Sequence, residues 1–490
     1  MLKSLQIESA FLFILALGLF AMAARPVTDP DVWWHLKTGE LILHTHHIFR
    51  ADPYSFTRAG QLWVNHEWLS EVLLFAIYRV TGFTGLIILF AAITAGAFFL
   101  AYRRCSGPAY LAALFTVWGA AACASIWGVR PQILSLLLTS IFLLVLDRSF
   151  LRPRLLWWLP PLTLLWVNLH AGYALGIALI GLFLFGTLLD TLFGFEKWSA
   201  IKPHIQQFGF AFLACLAVVP LNPNGLRMYS YPWQTLSSQA MQQFIQEWAS
   251  PNFHQGLYLP LLLMILALLA GLAFSPKRLR PLDLLLLAVT LYGAMRSVRH
   301  IPVFALVAIP ILCRVVAPLF QQNTPPKAEL RSNPKLAFNG IVILFVIFFA
   351  VVRINSVIRS QARAEANNFP AAAINFLATH NSLAPVMNHY NWGGYFIWKL
   401  YPQYQVFVDG RADVYGDNFL NRLADMYYLK NNWKQKFEAT NVCSVMLPPD
   451  APLIAALRER NNWKMIYTDK QATILTRTTR CLSANLLISK

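Results

Sequence analysis

Two aspartates one residue apart, Asp29 and Asp31, follow directly on the first long apolar run of the chain, Phe11 to Ala24. A carboxylate at the mouth of a membrane helix is costly, and it is kept where it holds a proton, a cation or a substrate. Pro30 between them sets an extended or turn geometry, so the two acids need not point to opposite faces. A pair placed this way can supply a general base beside a cation ligand. The same residues also suit an interfacial turn in which Asp31 caps a helix beginning near Val32. Trp33, Trp34 and His35 complete the stretch, and the two indoles fit a position half in water.

Other polar groups recur at comparable places. His66-Glu67 closes the same loop; a His-Glu pair binds metal or shuttles protons, and a Glu in the first turn of a helix is also favoured by the helix dipole. Glu247-Trp248 offers a second, separate acid. Arg130-Pro131 follows Gly128 at a tight turn between apolar runs, where a lone Arg suits a phosphate or pyrophosphate. Arg296, Arg299 and His300 read the same way at another turn, with snorkelling to lipid headgroups as the plain alternative. His170 ends the run Asn168-Leu169-His170. His44, His46 and His47 fit no zinc spacing and read as a solvated helix face. Asn391-Trp392-Gly393-Gly394-Tyr395 and Asp409-Gly410-Arg411-Ala412-Asp413 carry glycines that permit a tight turn or close backbone approach to a ligand. Cys443 and Cys481 can pair in an oxidising compartment.

The elements that must position these groups are membrane helices. The chain is 57% hydrophobic and 13% charged, with mean hydropathy +0.49, about half the charge of a soluble domain. At about 20 apolar residues per span, some eleven spans fall near 5–24, 84–102, 108–127, 131–147, 155–169, 172–193, 205–221, 257–274, 281–297, 301–318 and 336–353. The first is an uncleaved helix rather than a signal peptide. Glu67 to Tyr78 reads as a further helix at the interface or a short span.

The net charge of +18 is scattered in short clusters between apolar runs, which orient helices and do not make a nucleic-acid surface. Arg103 and Arg104, Arg148 to Arg154, Lys197 and Lys202, Lys277 to Arg280, and Lys327, Arg331 and Lys335 mark the cytoplasmic connections. The N-terminus is then cytoplasmic, and the loops bearing Asp29, Asp31, His35, His66, Glu67, Arg130, His170, Glu247, Arg299 and His300 face outward. The polar motifs are expected to gather around the first outer loop. Residues 1–353 form the transmembrane domain, with 25–83 as its catalytic outer loop. Residues 354–490 have soluble composition, and short apolar runs alternating with helical patterns suggest a small extracytoplasmic α/β domain. Its expected elements are a helix from Gln361 to His380 broken at Pro370, apolar runs at 384–387, 406–408 and 442–447, and a hairpin around Asp469-Lys470.

An acid pair after the first span, many spans, outward polar loops and a C-terminal outward domain resemble the GT-C glycosyltransferase superfamily. Its members are polyprenyl-phosphate-sugar-dependent membrane enzymes, such as protein O-mannosyltransferases and lipid A aminoarabinose transferases. Asp29-Pro30-Asp31-Val32-Trp33-Trp34-His35, His66-Glu67-Trp68-Leu69, Arg130-Pro131-Gln132 and Asn391-Trp392-Gly393-Gly394-Tyr395 also look like a bacterial group of membrane proteins of that type. The resemblance implies an inverting transfer from a polyprenyl-phosphate sugar to an acceptor (glycan, lipid or protein) on the outer face of a bacterial inner membrane. The catalytic acid would be Asp31 or Asp29, with Glu67 or Glu247 as the second acid. The donor phosphate would lie near Arg130, Arg299 and His300. Trp34, His35, His66, His170 and Glu247 would line the pocket, and Asp29 and Asp31 would hold a divalent cation, Mg2+ or Mn2+, where one is used. A transporter or flippase of a lipid-linked or anionic substrate is the rival, but mid-span charges and repeated halves, its usual marks, are weak or missing in this sequence. An assembly protein whose outward domain binds a partner is the third reading.

Overall fold

The computed structural model describes residues 7–276, 278–320, 333–380 and 383–478. Lys277, Lys327, Arg331 and Cys481 lie outside them. The chain forms two compact units. The first comprises Met1–Arg25, Thr84–Pro232 and Ile245–Arg359; the second comprises Pro26–Phe83, Trp233–Phe244 and Ser360–Lys490.

Among the described residues seven helices are long and apolar enough to cross a membrane: Trp68–Tyr102, Pro131–Ser149, Tyr173–Leu192, Trp198–Leu221, Gly256–Phe274, Val298–Phe320 and Gly340–Asn368. The protein is a multi-pass helical membrane protein. Four other expected spans are shorter helices, Ile7–Ala23, Ala109–Ala122, Leu159–Leu169 and Pro281–Arg296. A full crossing takes about 20 residues, so among the described residues the eleven expected spans divide into seven of full length and four below it. Proline sets several of these starts: Pro131, Pro260 and Pro281 each sit in the first turn of their helix, where the missing N–H costs nothing. The interior of the first unit is aromatic and aliphatic, with Phe142, Trp166, Phe183, Phe208 and Phe304 fully buried.

Two helices begin or end elsewhere than their sequence patterns suggest. The interfacial segment Glu67 to Tyr78 and the span after it form one helix, Trp68–Tyr102, broken where Gly82 takes φ 61°. The last span does not stop at residue 353 but continues without interruption as Asn333–Asn368. The basic residues that mark the connections also form ion pairs: Arg104 Nε meets Asp147 at 2.7 Å, and Arg280 pairs with the fully buried Asp190.

The second unit carries a four-stranded mixed sheet. Its strands are β1 (Val386–Asn388), β2 (Ser444–Leu447), β3 (Trp463–Thr468) and β4 (Thr473–Arg477), in the order β1-β2-β4-β3. β1 lies parallel to β2, with Val386 opposite Ser444, and the β3–β4 hairpin turns between Thr468 and Thr473. Both β1 and β2 are buried along their whole length, as strands covered on both faces are. The expected α/β character is present, and the helix interruption at Pro370 separates Asn333–Asn368 from Ala371–Ala378. The run 406–408 is not a sheet strand. Val406 instead makes a parallel bridge to Ser55, with its N–H donating to Tyr54 O at 2.9 Å and its O accepting from Phe56 N at 3.1 Å. Cys443 is disulfide-bonded.

Trp33 is not half wet. It is 1% exposed, edge-on to Phe83, Phe369 and Tyr395 at centroid distances of 5.3, 5.3 and 4.8 Å. Trp34 is buried too. The aromatic rings of residues 369 and 395 supply an apolar environment that the local sequence around Trp33 does not reveal.

Candidate functional site

The helix Val32–Thr45 starts at Asp31, which occupies the N-cap position without a side-chain cap bond. Asp29 holds this turn instead, its Oδ1 accepting from the Asp31 N–H at 2.8 Å. The Asp31 carboxylate is turned to other partners. Trp34 Nε1 donates to its Oδ1 at 3.1 Å, and a Cβ placed on Gly410 would lie 1.7 Å from that same oxygen. The glycine at 410 is therefore what lets a carboxylate rest against the main chain there. The adjacent Gly393-Gly394 pair serves packing: a Cβ would lie 2.2 Å from Val408 O at Gly393 and 2.4 Å from Pro30 O at Gly394. Both glycine motifs thus resolve as close backbone approaches around the Asp31 turn.

The Gly410 loop is fixed by a buried charge cluster. Arg411 gives Asp409 two hydrogen bonds, Nε to Oδ1 at 2.8 Å and Nη2 to Oδ2 at 2.7 Å. The same Nη2 lies 2.7 Å from Asp52 Oδ1. Tyr415 OH donates to Asp409 at 2.8 Å, and Asp52 accepts from the Tyr54 and Ser55 N–H groups at 3.0 and 3.1 Å. The guanidinium lies 4.8 Å from the centroid of Tyr54 and 4.6 Å from that of Trp63, which adds cation–π attraction in a dry setting. Asp52, Asp409 and Arg411 are all buried.

One helical turn beyond Asp31, His35 sits between two glutamates. Its Nε2 is 3.4 Å from Glu67 and its Nδ1 3.6 Å from Glu71. His66 Nε2 meets the other Glu67 oxygen at 3.2 Å, and Asn65 donates to the fully buried Glu71 at 2.8 Å. Two imidazoles and two carboxylates therefore form one chain. Burial works against the His35 imidazolium, but the close Glu71 carboxylate and the charges of Glu67 and Asp31 outweigh this and hold its pKa above 6.5. His66 is likewise raised: burial opposes its charge and Glu67 overcomes it. A raised folded-state pKa stabilises below the unfolded value and is lost as pH rises through the folded one. The thermal midpoint of the purified protein should accordingly fall as pH rises beyond 6.5. His35→Gln should flatten that slope, leaving the His66 share; an unchanged slope would separate His35 from the array.

Asp413, which is exposed, acts electrostatically on His66 and Tyr390, and Asp31 acts on Tyr390 as well. Tyr390 OH donates to Gly410 O at 3.2 Å. The second unit thus brings together Asp29, Asp31, Trp34, His35, His66 and Glu67 from the sequence reading. It adds Glu71, Asp52, Arg411 and Asp413, which that reading did not assign to the site. The available signal for the last two was the alternation of opposite charges in Asp409-Gly410-Arg411-Ala412-Asp413 within a chain so poor in charge. Asp52 and Glu71 carried no comparable signal.

The first unit gathers the other expected residues. Glu247 pairs with Arg130, and Arg299 Nη2 donates to its second oxygen at 3.3 Å. Burial disfavours the Glu247 carboxylate, yet Arg130 and then Arg299 hold its pKa below the ordinary value. Arg299 lies 4.8 Å from the Trp248 centroid and the His300 ring 6.2 Å from it. Ser297 Oγ donates to Glu247 O at 2.8 Å. His170 Nδ1 is 2.8 Å from Ser135 Oγ and accepts from Gly172 N at 3.0 Å. Among the described residues no three His, Cys, Asp or Glu side chains are placed to hold a metal.

No protein-family model and no curated protein sequence matches the chain. Solved structures do match it. The oligosaccharyltransferase AglB from Archaeoglobus fulgidus, in complex with an inhibitory peptide and a dolichol-phosphate, superposes with a TM-score of 0.53 at 10% identity, covering 89% of this chain and 68% of that one. The apo form of the Archaeoglobus fulgidus oligosaccharyltransferase gives 0.52 at 11%, covering 90% and 70%. ArnT from Cupriavidus metallidurans, bound to undecaprenyl phosphate, gives 0.50 at 11%, covering 95% and 97%. The fold is thus the GT-C-like fold of these membrane proteins, as the acid pair and span pattern suggested.

Proposed function

We propose that the protein is an inverting glycosyltransferase that moves a sugar from a polyprenyl-phosphate donor to an acceptor at the outer face of the bacterial inner membrane. The observation that carries this reading is the Asp31 carboxylate, set in the turn after the first helix and held by Trp34 against Gly410, in a chain with the fold of ArnT and AglB. Asp31 takes the proton of the acceptor hydroxyl, the new bond forms at the anomeric carbon, and the bond to the lipid phosphate breaks with its electron pair leaving on phosphate oxygen. Attack opposite that phosphate inverts the sugar. A carboxylate in a partly dry site suits this base role. His35, Glu67 and His66 provide a path for the proton beyond Asp31.

The leaving phosphate needs counter-charge. Arg130 and Arg299 are the candidates the sequence offers for it; Glu247 pairs with both guanidiniums, and His170 and His300 belong to the same unit as these arginines. A divalent cation, Mg2+ or Mn2+, fits Asp29 and Asp31 only as a site completed by water or donor oxygens, since Mg2+ takes one or two carboxylates and keeps several waters. Bound there it would neutralise charge on the departing phosphate. The acceptor is a glycan, lipid or protein bearing a nucleophilic hydroxyl or amine. The N-terminus is cytoplasmic and the sheet-bearing region periplasmic.

The test is incubation of purified protein in proteoliposomes with a panel of labelled polyprenyl-phosphate sugars and membrane acceptors. Label appearing on an acceptor supports transfer. Label crossing the bilayer with its lipid-phosphate bond intact refutes it in favour of a flippase.

A further inference from the structure

We propose that Arg25, Arg353 and Trp127 form a binding site for the phosphate group of a lipid. All three belong to the first unit. Arg25 lies two residues beyond the end of the helix Ile7–Ala23. Arg353 lies on the long helix Asn333–Asn368, and its Nη2 donates to Ala24 O at 3.3 Å. The Arg353 guanidinium is thus held against the residue that precedes Arg25. The Arg25 guanidinium is 5.4 Å from the centroid of the Trp127 ring.

Three features mark this cluster as short of an anion. Neither arginine has an acidic partner among the described residues. By contrast Arg104, Arg130, Arg280, Arg299 and Arg314 each pair with an aspartate or glutamate. Arg25 Nε and Trp127 Nε1 are both buried N–H groups without an acceptor, and Trp127 is only 8% exposed. A buried donor left unpaired is costly, so two beside each other next to like charges call for a ligand rich in acceptor oxygens. Burial, and then the nearby charge of Arg353, lowers the Arg25 pKa, so each works against the Arg25 cation.

Simple snorkelling does not account for the arrangement, because a snorkelling arginine keeps its head in water and here Nε is enclosed. The ligand class follows from location and geometry. Arg25 and Trp127 lie just beyond the ends of helices, and Arg353 lies where the apolar part of its helix gives way to polar residues; this is the level of lipid headgroups, and a planar guanidinium matches phosphate oxygens two at a time. Arg130 and Arg299 already share Glu247, so a lipid phosphate finds more uncompensated positive charge at Arg25 and Arg353. Assigning this phosphate to the sugar donor rests on the transfer reading; the site itself does not.

The experiment uses full-length protein in phosphatidylcholine nanodiscs. Binding of a sugar-free polyprenyl phosphate, and separately of phosphatidylglycerol, is measured for wild type and for Arg25→Gln/Arg353→Gln. The double variant should bind at least one of them about 10–100-fold more weakly, as expected for losing charge-assisted hydrogen bonds. Loss confined to polyprenyl phosphate places the donor here, and loss for phosphatidylglycerol places a structural phospholipid. Trp127→Phe keeps the ring and removes the N–H, and should weaken the same ligand less. Equal affinities in wild type and the double variant for both lipids, with unchanged thermal midpoints, overturn the proposal. No sugar is present, so a protein that binds the lipid here but transfers nothing would refute the transfer reading and leave this site standing.

Discussion

Gly410→Ala should lower sugar transfer to the level of Asp31→Asn, about 10²–10⁴ below wild type if Asp31 is the base, while the chain still folds. The added methyl carbon would sit 1.7 Å from Asp31 Oδ1 and 2.8 Å from its Cγ, so the carboxylate must move. A displacement of about 1 Å at a reacting group is enough to cost about 10²-fold. The group displaced is the end of a side chain, so the backbone need not follow, and circular dichroism and thermal midpoint should remain close to wild type. Gly393→Ala is the contrast. There the new atom would meet the main-chain oxygen of Val408 at 2.2 Å, and loss of folded protein is expected. A Gly410→Ala protein with full transfer activity would mean that the Asp31 position is not the reacting one.

Arg411→Ala should destabilise the second unit by about 3–5 kcal/mol, the usual cost of removing one partner of a buried ion pair. The substitution leaves Asp409 and Asp52 enclosed without their shared cation, and empties the space between Tyr54 and Trp63. Arg411→Lys should recover only part of this, because an ammonium cannot give Asp409 two parallel bonds and reach Asp52 from the same nitrogen. Urea unfolding monitored by tryptophan fluorescence reads the difference. A midpoint within error of wild type for Arg411→Ala would show that the cluster is not a stabilising lock.

The sequence made one half of the site readable and hid the other. Asp29, Asp31, His35, His66 and Glu67 stood out because ionisable groups are conspicuous beside apolar runs, and they do share one locality. Asp52 and Arg411 did not stand out as partners, since an ion pair between residues so far apart in sequence leaves no local pattern. Glycines 393, 394 and 410 announced unusual backbone needs but not their cause, which is the close approach of Pro30, Val408 and Asp31. Seven of the eleven expected spans were legible from apolar run length alone. The continuity of Asn333–Asn368 was not, because its last turns are polar enough to read as the start of a soluble region. Trp33 was misplaced at the water boundary because its burying partners, Phe369 and Tyr395, come from the other end of the chain.

The most direct test of the account is the stoichiometry of two products from one labelled polyprenyl-phosphate sugar, measured for wild type and Asp31→Asn in matched proteoliposomes. The account predicts one polyprenyl phosphate released per sugar transferred by wild type, and neither product above background from Asp31→Asn with donor affinity retained. Equal release and transfer by the two proteins would contradict it.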